Sequence, residues 1–273
     1  MTHVNANPDF RALHHTDEML IMPNPWDIGS TKIFSQCGFK ALATTSGGMA
    51  YSLGKRDGFV TREEALQHCR DIVSATDLPV SADLEKGYGD TPDSVAKIIQ
   101  DVAETGVAGC SIEDYTGNPE RAIFDEELAV ERIAAAVEAK NSLAGDFVLT
   151  ARCEAYLWNQ GERDTVIRRL QRFADAGADV VFSPGMNNLS DIQTLVQSVS
   201  VPVNVVVSSP NRPYEVSDLK SLGVRRISIG SSMAQLIYGS VINAISEFSK
   251  THSLDFIDDA MDYETLEAWF SET

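Results

Sequence analysis

The sequence has no closely spaced cysteine pair, no long apolar run and no excess of positive charge, and each absence removes a class of function. Its four cysteines, Cys37, Cys69, Cys110 and Cys153, lie far apart. Neither a zinc knuckle nor a dense disulfide framework fits that spacing, and reduced thiols in a cytoplasmic setting are expected. No apolar run approaches the roughly 20 residues that a membrane helix needs. The opening stretch MTHVNANPDFRALHHTDEM carries acids and no apolar segment, so no secretory leader is expected and the chain reads as soluble. Lysine and arginine number 22 against 40 aspartates and glutamates, a net charge of −18. A field of that sign repels phosphate backbones and anionic membrane surfaces, so neither nucleic acid nor membrane is an expected partner. A small anionic substrate would need local positive charge, from a metal or an arginine.

What is present is an alternation. With 273 residues and 43% apolar content, the chain is long enough for a substantial core. Short β-rich runs recur eight times: EMLIMPN, ALATTS, PVSADLE, AGCSIED, FVLTARCE, DVVFSPG, PVNVVV and RISIGSS. A segment of helical periodicity follows each, over 28–37, 62–74, 91–105, 126–141, 162–176, 189–198, 216–222 and 232–248. Several of these segments end in glycine just before the next strand, which suits a helix C-cap. Eight such units predict a closed (β/α)8 barrel of the TIM type, with a doubly wound open sheet as the structural alternative. No linker divides the chain, so residues 1–273 read as one domain with a C-terminal helical extension over about 250–273. In that extension Tyr263, Leu266, Trp269 and Phe270 fall on one helical face, suited either to capping the barrel or to packing on a neighbouring subunit.

In a barrel of this kind the chemistry sits at the C-terminal strand ends. PVSADLE ends in Asp83 and Glu85, two residues apart and therefore on one face together with Ser81. Like charges crowded there repel unless a cation lies between them. The fourth strand adds Glu113 and Asp114, and the fifth adds Arg152 on the face of Thr150 and Glu154. ATTSGG offers Ser46 with the amides of Gly47 and Gly48, suited to a carboxylate or enolate oxygen, and the seventh strand offers Asn204. All the donors are hard oxygens, which points to Mg2+ or Mn2+ and away from zinc.

The remaining residue types are less informative. None of the five histidines falls at a strand end and no lysine falls within a strand, which disfavours histidine-based hydrolysis and Schiff-base chemistry. Lys55 and Lys86 fall in loops. Asp57, Asp90 and Asp114 suit helix caps or solvated loops as well as they suit a metal. Strand parity turns Cys153 toward the helix layer, into packing.

The segments LIMPNPWDIGST, ATTSGGMAYSLGKRDG, SADLEKGYGD, SIED, TARCE, SPG and PVNVV, in this order and spacing, resemble the isocitrate lyase/phosphoenolpyruvate mutase superfamily. The resemblance runs from about Phe10 to Phe248. It implies a barrel that binds Mg2+ and a small 2-oxo or 2-hydroxy carboxylate and works through an enolate-like intermediate. It implies that Ser46, Gly47 and Gly48 hold substrate carboxylate oxygens and that Asp83 ligates the metal. Asp57, Glu85 and Glu113 would then act largely through metal-bound waters, and Arg152 would bind the substrate. It also implies a homotetramer with exchanged C-terminal helices.

Two departures stand out. The family's usual second aspartate is here Glu85. The loop EDYTGNPERAIFDEEL after the fourth strand lacks the K-K/R-C-G-H motif of the family's lyases and has neither cysteine nor histidine, leaving Glu120 and Arg121 as candidate lid residues beside Gly117 and Pro119. The leading expectation is a Mg2+-dependent C–C lyase that releases a 2-oxo acid. The alternatives are P–C bond chemistry, mutase or hydrolase, on phosphonopyruvate, and a catalytically silent metabolite-binding barrel. VSSPNRP and IGSSM are further candidates for a phosphate-binding turn.

Overall fold

The computed structural model describes residues 10–208, 210 and 212–271. Eight parallel strands form a nearly closed barrel: β1 (Leu20–Met22), β2 (Leu42–Ala43), β3 (Val80–Asp83), β4 (Gly109–Glu113), β5 (Val148–Arg152), β6 (Val180–Phe182), β7 (Val203–Val206) and β8 (Arg226–Ser228). Helices pack outside them: α1 (Phe10–Leu13), α2 (Ile28–Gln36), α3 (Ser46–Ser52), α4 (Arg62–Ser74), α5 (Pro92–Ala103) and α6 (Glu126–Asn141). The series continues with α7 (Arg163–Asp175), α8 (Leu189–Ser198), α9 (Val216–Ser221), α10 (Ser232–Thr251) and α11 (Tyr263–Ala268). Each of the eight expected strands is present, β1 pairs with β8, and the fold is the (β/α)8 barrel that the alternation predicts. No helix among the described residues is long and apolar enough to cross a membrane.

Strand parity sorts the side chains into two layers. Val80, Ala82, Cys110, Ile112, Leu149, Ala151, Val181, Val203, Val205 and Ile227 face outward and pack against the helices in the main core. The opposite residues face the barrel axis. At its N-terminal end they are apolar, and Phe10 of α1 packs there with Leu20, Met22, Ala41, Val148 and Val180. Toward the C-terminal end they become polar: Ser81 and Asp83, Ser111, Arg152, Asn204, Arg226 and Ser228. The barrel is thus plugged below and polar above.

No ladder joins β1 to β2, but the seam is stitched. The Ala43 amide donates to the Pro23 carbonyl at 3.1 Å. Asn24, buried just beyond β1, donates to the Thr44 carbonyl at 3.0 Å and accepts from the Ile229 and Gly230 amides at 2.9 Å each. One side chain therefore ties the ends of β1, β2 and β8 together.

Two local features differ from expectation. β3 ends at Asp83, and Glu85 has φ +51°, so Glu85 reaches the side of Asp83 through a left-handed turn instead of strand parity. Ser46, Gly47 and Gly48, expected to offer uncovered amides, are the first turn of α3, capped by Thr45. At the C-terminus, α11 folds back on its own barrel, with Gln36 of α2 donating to the Trp269 carbonyl at 2.8 Å. α10 is different from the other long helices, because only Ala234 on it is buried. Leu236, Ile237, Val241, Ile242 and Ile245 stand exposed along it.

Candidate active site

A cavity of about 460 Å³ opens at the C-terminal strand ends, and its wall includes Ser46, Asp57, Asp83, Arg152, Asn204 and Arg226. Asp83 is fixed from several sides. Its amide donates to Thr44 Oγ1 at 2.8 Å, and its Oδ2 accepts from the Ser46 amide at 3.2 Å. Its Oδ1 accepts from Ser111 Oγ and the Glu85 amide, both at 3.4 Å, and lies 3.7 Å from Arg152 Nη1. Arg152 is clamped by its Nε, which hydrogen-bonds Glu154 and lies 3.3 Å from Glu113 Oε2. Its guanidinium carbon sits 5.2 Å from the Phe182 ring centre. Burial works against the Arg152 cation, but Glu154, Glu113 and Asp83 outweigh it and raise its pKa well above the ordinary value. The arginine is permanently charged, with its Nε committed and its Nη groups on the cavity side.

Around this pair the carboxylates are held against their ionised form. Burial pushes the Asp57 carboxyl up, and the neighbouring Asp83 adds to it. Burial, then Asp83 and Asp57, carries Glu85 to about 7, and Glu85 Oε1 is buried with no hydrogen-bond partner. Burial pushes Glu113 well up, opposed by Arg152. One guanidinium faces five acids, Asp57, Asp83, Glu85, Glu113 and Glu154, and the resulting excess of negative charge is what an added cation would relieve. The donor set consists of oxygens alone, and the orphaned Glu85 oxygen gives it a free acceptor, so these residues fit a hard divalent ion. No three histidine, cysteine or acidic side chains among the described residues converge into a ready-made cage. An ion such as Mg2+, which keeps several waters and takes one or two direct carboxylates, does not need one.

Other sequence-selected residues fall elsewhere. Glu85 and Glu113 stand behind Asp83 and Arg152, off the cavity wall. Of the Ser46–Gly48 amides, that of Ser46 is taken by Asp83, and that of Gly48 lies 3.4 Å from Thr45 Oγ1. Gly48 is a packing glycine, since a Cβ there would meet Trp26 Cβ and Thr45 Cγ2 at 2.7 Å each. Asp114 accepts from the Glu154 amide at 2.7 Å and pairs with Arg169 at 3.3 Å, away from the cavity. Lys55 pairs with Glu64, and Lys86 bonds Asp90 at 2.6 Å and the Thr116 carbonyl at 2.8 Å. Cys153 is fully buried, on the helix side.

The loop after β4 is folded and does not reach over the cavity. Tyr115 bridges Ile123, Thr116 Oγ1 donates to the Arg121 carbonyl at 2.6 Å, and Tyr115 stacks on Trp158 at 4.5 Å. Glu120 and Arg121 are exposed and line none of the cavity. Of the two phosphate-turn candidates, Gly230 and Ser231 line the cavity, whereas Ser209 and Asn211 lie outside the described residues. Residues that sequence reasoning missed include Asn24, Phe182, Asn187, Arg226, Ser228 and Gln235, all on the wall. The alternation of Arg226 and Ser228 in RRISIG carried the signal for two of them.

Residues 10–249 match the family model described as phosphoenolpyruvate phosphomutase. A protein of Burkholderia cenocepacia J2315, provisionally designated a lyase/mutase, has a crystal structure that superposes with a TM-score of 0.93 at 42% identity, covering 97% of this chain and 95% of that one. The 2-methylisocitrate lyase of Escherichia coli K12 is 30% identical over 79% of this chain and 75% of its own length. The structure of 2,3-dimethylmalate lyase, a phosphoenolpyruvate mutase/isocitrate lyase superfamily member, matches with a TM-score of 0.83 at 26% identity, covering 96% and 92% of the two chains.

Proposed function

The chain belongs to the phosphoenolpyruvate phosphomutase family, within the superfamily of isocitrate lyase and its lyase and mutase relatives, and from that premise we propose that it is a Mg2+-dependent carbon–carbon lyase. Its substrate is a small 2-oxo or 2-hydroxy carboxylate, and its product is a 2-oxo acid. One observation carries the reading: Asp83, Asp57 and the clamped Arg152 meet on a single cavity wall at the C-terminal strand ends, with the unpartnered Glu85 oxygen behind them. The similarity to a 2-methylisocitrate lyase and a 2,3-dimethylmalate lyase favours carbon–carbon over carbon–phosphorus cleavage.

Asp83 would hold the metal directly, and Asp57, Glu85 and Glu113 would hold its waters. A metal held there would supply positive charge and Lewis acidity to the developing negative charge on the substrate oxygens. Arg152 presents its Nη groups to the substrate carboxylate, and Glu154 and Glu113 fix its orientation. Ser46 and the Gly47 amide border the same space. Asp57, on the wall, is assigned to take the proton of the substrate hydroxyl as it becomes the keto group and to return it to the departing fragment, so that no net proton is consumed. Phe182 and Leu157 give the cavity wall its apolar side chains.

The protein works as a homotetramer built from one barrel domain per chain. The exposed apolar face of α10 supports this, because a stripe of that size on a lone chain would meet water.

The test is release of a 2-oxo acid from a panel of small 2-hydroxy and 2-oxo acids, with Mg2+ and with chelator. Asp83→Ala should abolish metal-dependent turnover and leave the unfolding transition cooperative. Turnover retained in that variant removes Asp83 from its role. Phosphate released from phosphonopyruvate, with no carbon–carbon cleavage anywhere in the panel, replaces the lyase reading with the carbon–phosphorus one.

A further inference from the structure

The reading above needs Glu85 beside Asp83, and this inference rests on that reading. Glu85 reaches its place through a strained turn. Its φ is +51°, Gly87 follows at +85° and Tyr88 at +58°, so two residues that carry side chains stand in the left-handed region within four positions. Such backbone persists only where the surroundings over-determine it. The start of the turn is tied within the barrel. The Glu113 amide donates to the Glu85 carbonyl at 3.0 Å, and the Gly87 amide donates to the Leu84 carbonyl at 2.8 Å. The remainder is held from outside.

Arg132 of α6 does the holding. At 1% exposure it is among the largest fully buried side chains. Its Nη2 donates to the Lys86 carbonyl and its Nη1 to the Gly89 carbonyl at 2.7 Å, so one planar fork spans the turn. The guanidinium carbon sits 4.3 Å from the Phe124 ring centre. Arg169 reaches the Phe124 carbonyl at 3.1 Å and pairs with Asp114, whereas no carboxylate pairs with Arg132 among the described residues. A cation buried against carbonyls and a ring face costs the fold more than an apolar side chain of similar volume. What the arginine provides instead is a fixed course for the backbone over 86–89. It lies off the cavity wall, so it meets neither substrate nor ion.

We propose that Arg132 is a positioning residue of the metal site. It braces the turn over 86–89 from behind and so keeps the Glu85 carboxylate beside Asp83, where the waters of a divalent ion would meet it.

Mn2+ is the probe, with free ion counted by electron paramagnetic resonance, so the readout is occupancy and not turnover. Arg132→Met should raise the dissociation constant roughly tenfold or more, the usual cost of losing a partner behind a metal ligand. Glu85→Gln should weaken binding as well. Adding Arg132→Met to Glu85→Gln should then change it by less than about threefold, because both changes act through one carboxylate. Arg132→Lys should recover part of the loss. An arginine that only supports the fold would lower the urea midpoint and leave the Mn2+ constant unchanged. That result, or an equal loss that persists in the Glu85→Gln background, overturns the inference. Hydrogen exchange on the wild-type protein decides it even if the methionine variant does not fold: the amides over 86–89 should be protected in chelator and change little with Mn2+. Fast exchange there in chelator, slowed only by the ion, means that the metal forms the turn and also overturns the inference. Mn2+ that fails to bind the wild-type protein, or binds Asp83→Ala equally well, would sink the underlying reading of the site and this inference with it.

Discussion

Replacing Glu85 by glutamine separates the cost of the acid cluster from its use. In the folded chain the Glu85 carboxyl is carried from its ordinary 4.5 to about 7, by burial first and then by Asp83 and Asp57. A carboxyl raised by folding favours the folded state when protonated. That stabilisation is complete below about pH 4.5 and is lost as the pH climbs through 7. At pH 8 the ionised glutamate therefore costs about 3 kcal/mol, taking about 1.4 kcal/mol per tenfold change. Glutamine keeps the shape of the neutral form at every pH. In chelator at about pH 8, Glu85→Gln should unfold at higher urea than the wild type, by up to about 3 kcal/mol at an unchanged slope. Near pH 4.5 the two proteins should unfold together. Saturating Mg2+ should narrow or reverse the difference at pH 8, because the wild type gains a cation that the variant holds less well. A glutamine variant that is less stable than the wild type in chelator at pH 8 would refute the claim that this cluster is held under repulsion.

Three further outcomes follow from the same geometry. Gly48→Ala should lose roughly 1–3 kcal/mol by overpacking, since the new methyl meets backbone-proximal carbons of Trp26 and Thr45 at 2.7 Å; chemical denaturation reads it. Gly47→Ala, whose Cβ would stand 3.2 Å from Asp57 Oδ2, should instead lower kcat with a smaller change in stability. A chain ending at Lys250 keeps α10 except its last residue and loses α11 with its bond to Gln36; a smaller oligomer by light scattering supports a role for the tail in assembly, and an unchanged oligomer rejects it.

The barrel was legible because every unit carried two periods, alternation in the strand and 3.6 in the helix, with a glycine or a cap between them. α4, α6 and α8 fall where the apolar spacing puts them. α3 was not legible, because Gly47 and Gly48 hide its helical pattern; the Thr45 cap was the available sign. Asp83 and Arg152 could be placed together because both close parallel strands, β3 and β5, that flank β4, and both point to the barrel axis. Arg226 was passed over, although its alternation with Ser228 across Ile227 marked it as inward. The loop after β4 was read as a free lid from its polar composition. Its anchoring depends on Lys86 and Trp158, far away in sequence, which no local pattern reports.

The most direct measurement is titration of oxalate into the protein with Mg2+, with chelator, and with Mg2+ into Asp83→Ala. Saturable binding confined to the wild-type protein with Mg2+ is the predicted result. Oxalate heats that are equal in all three samples, or absent throughout, would contradict a cavity built to join a hard dication to a small oxoacid.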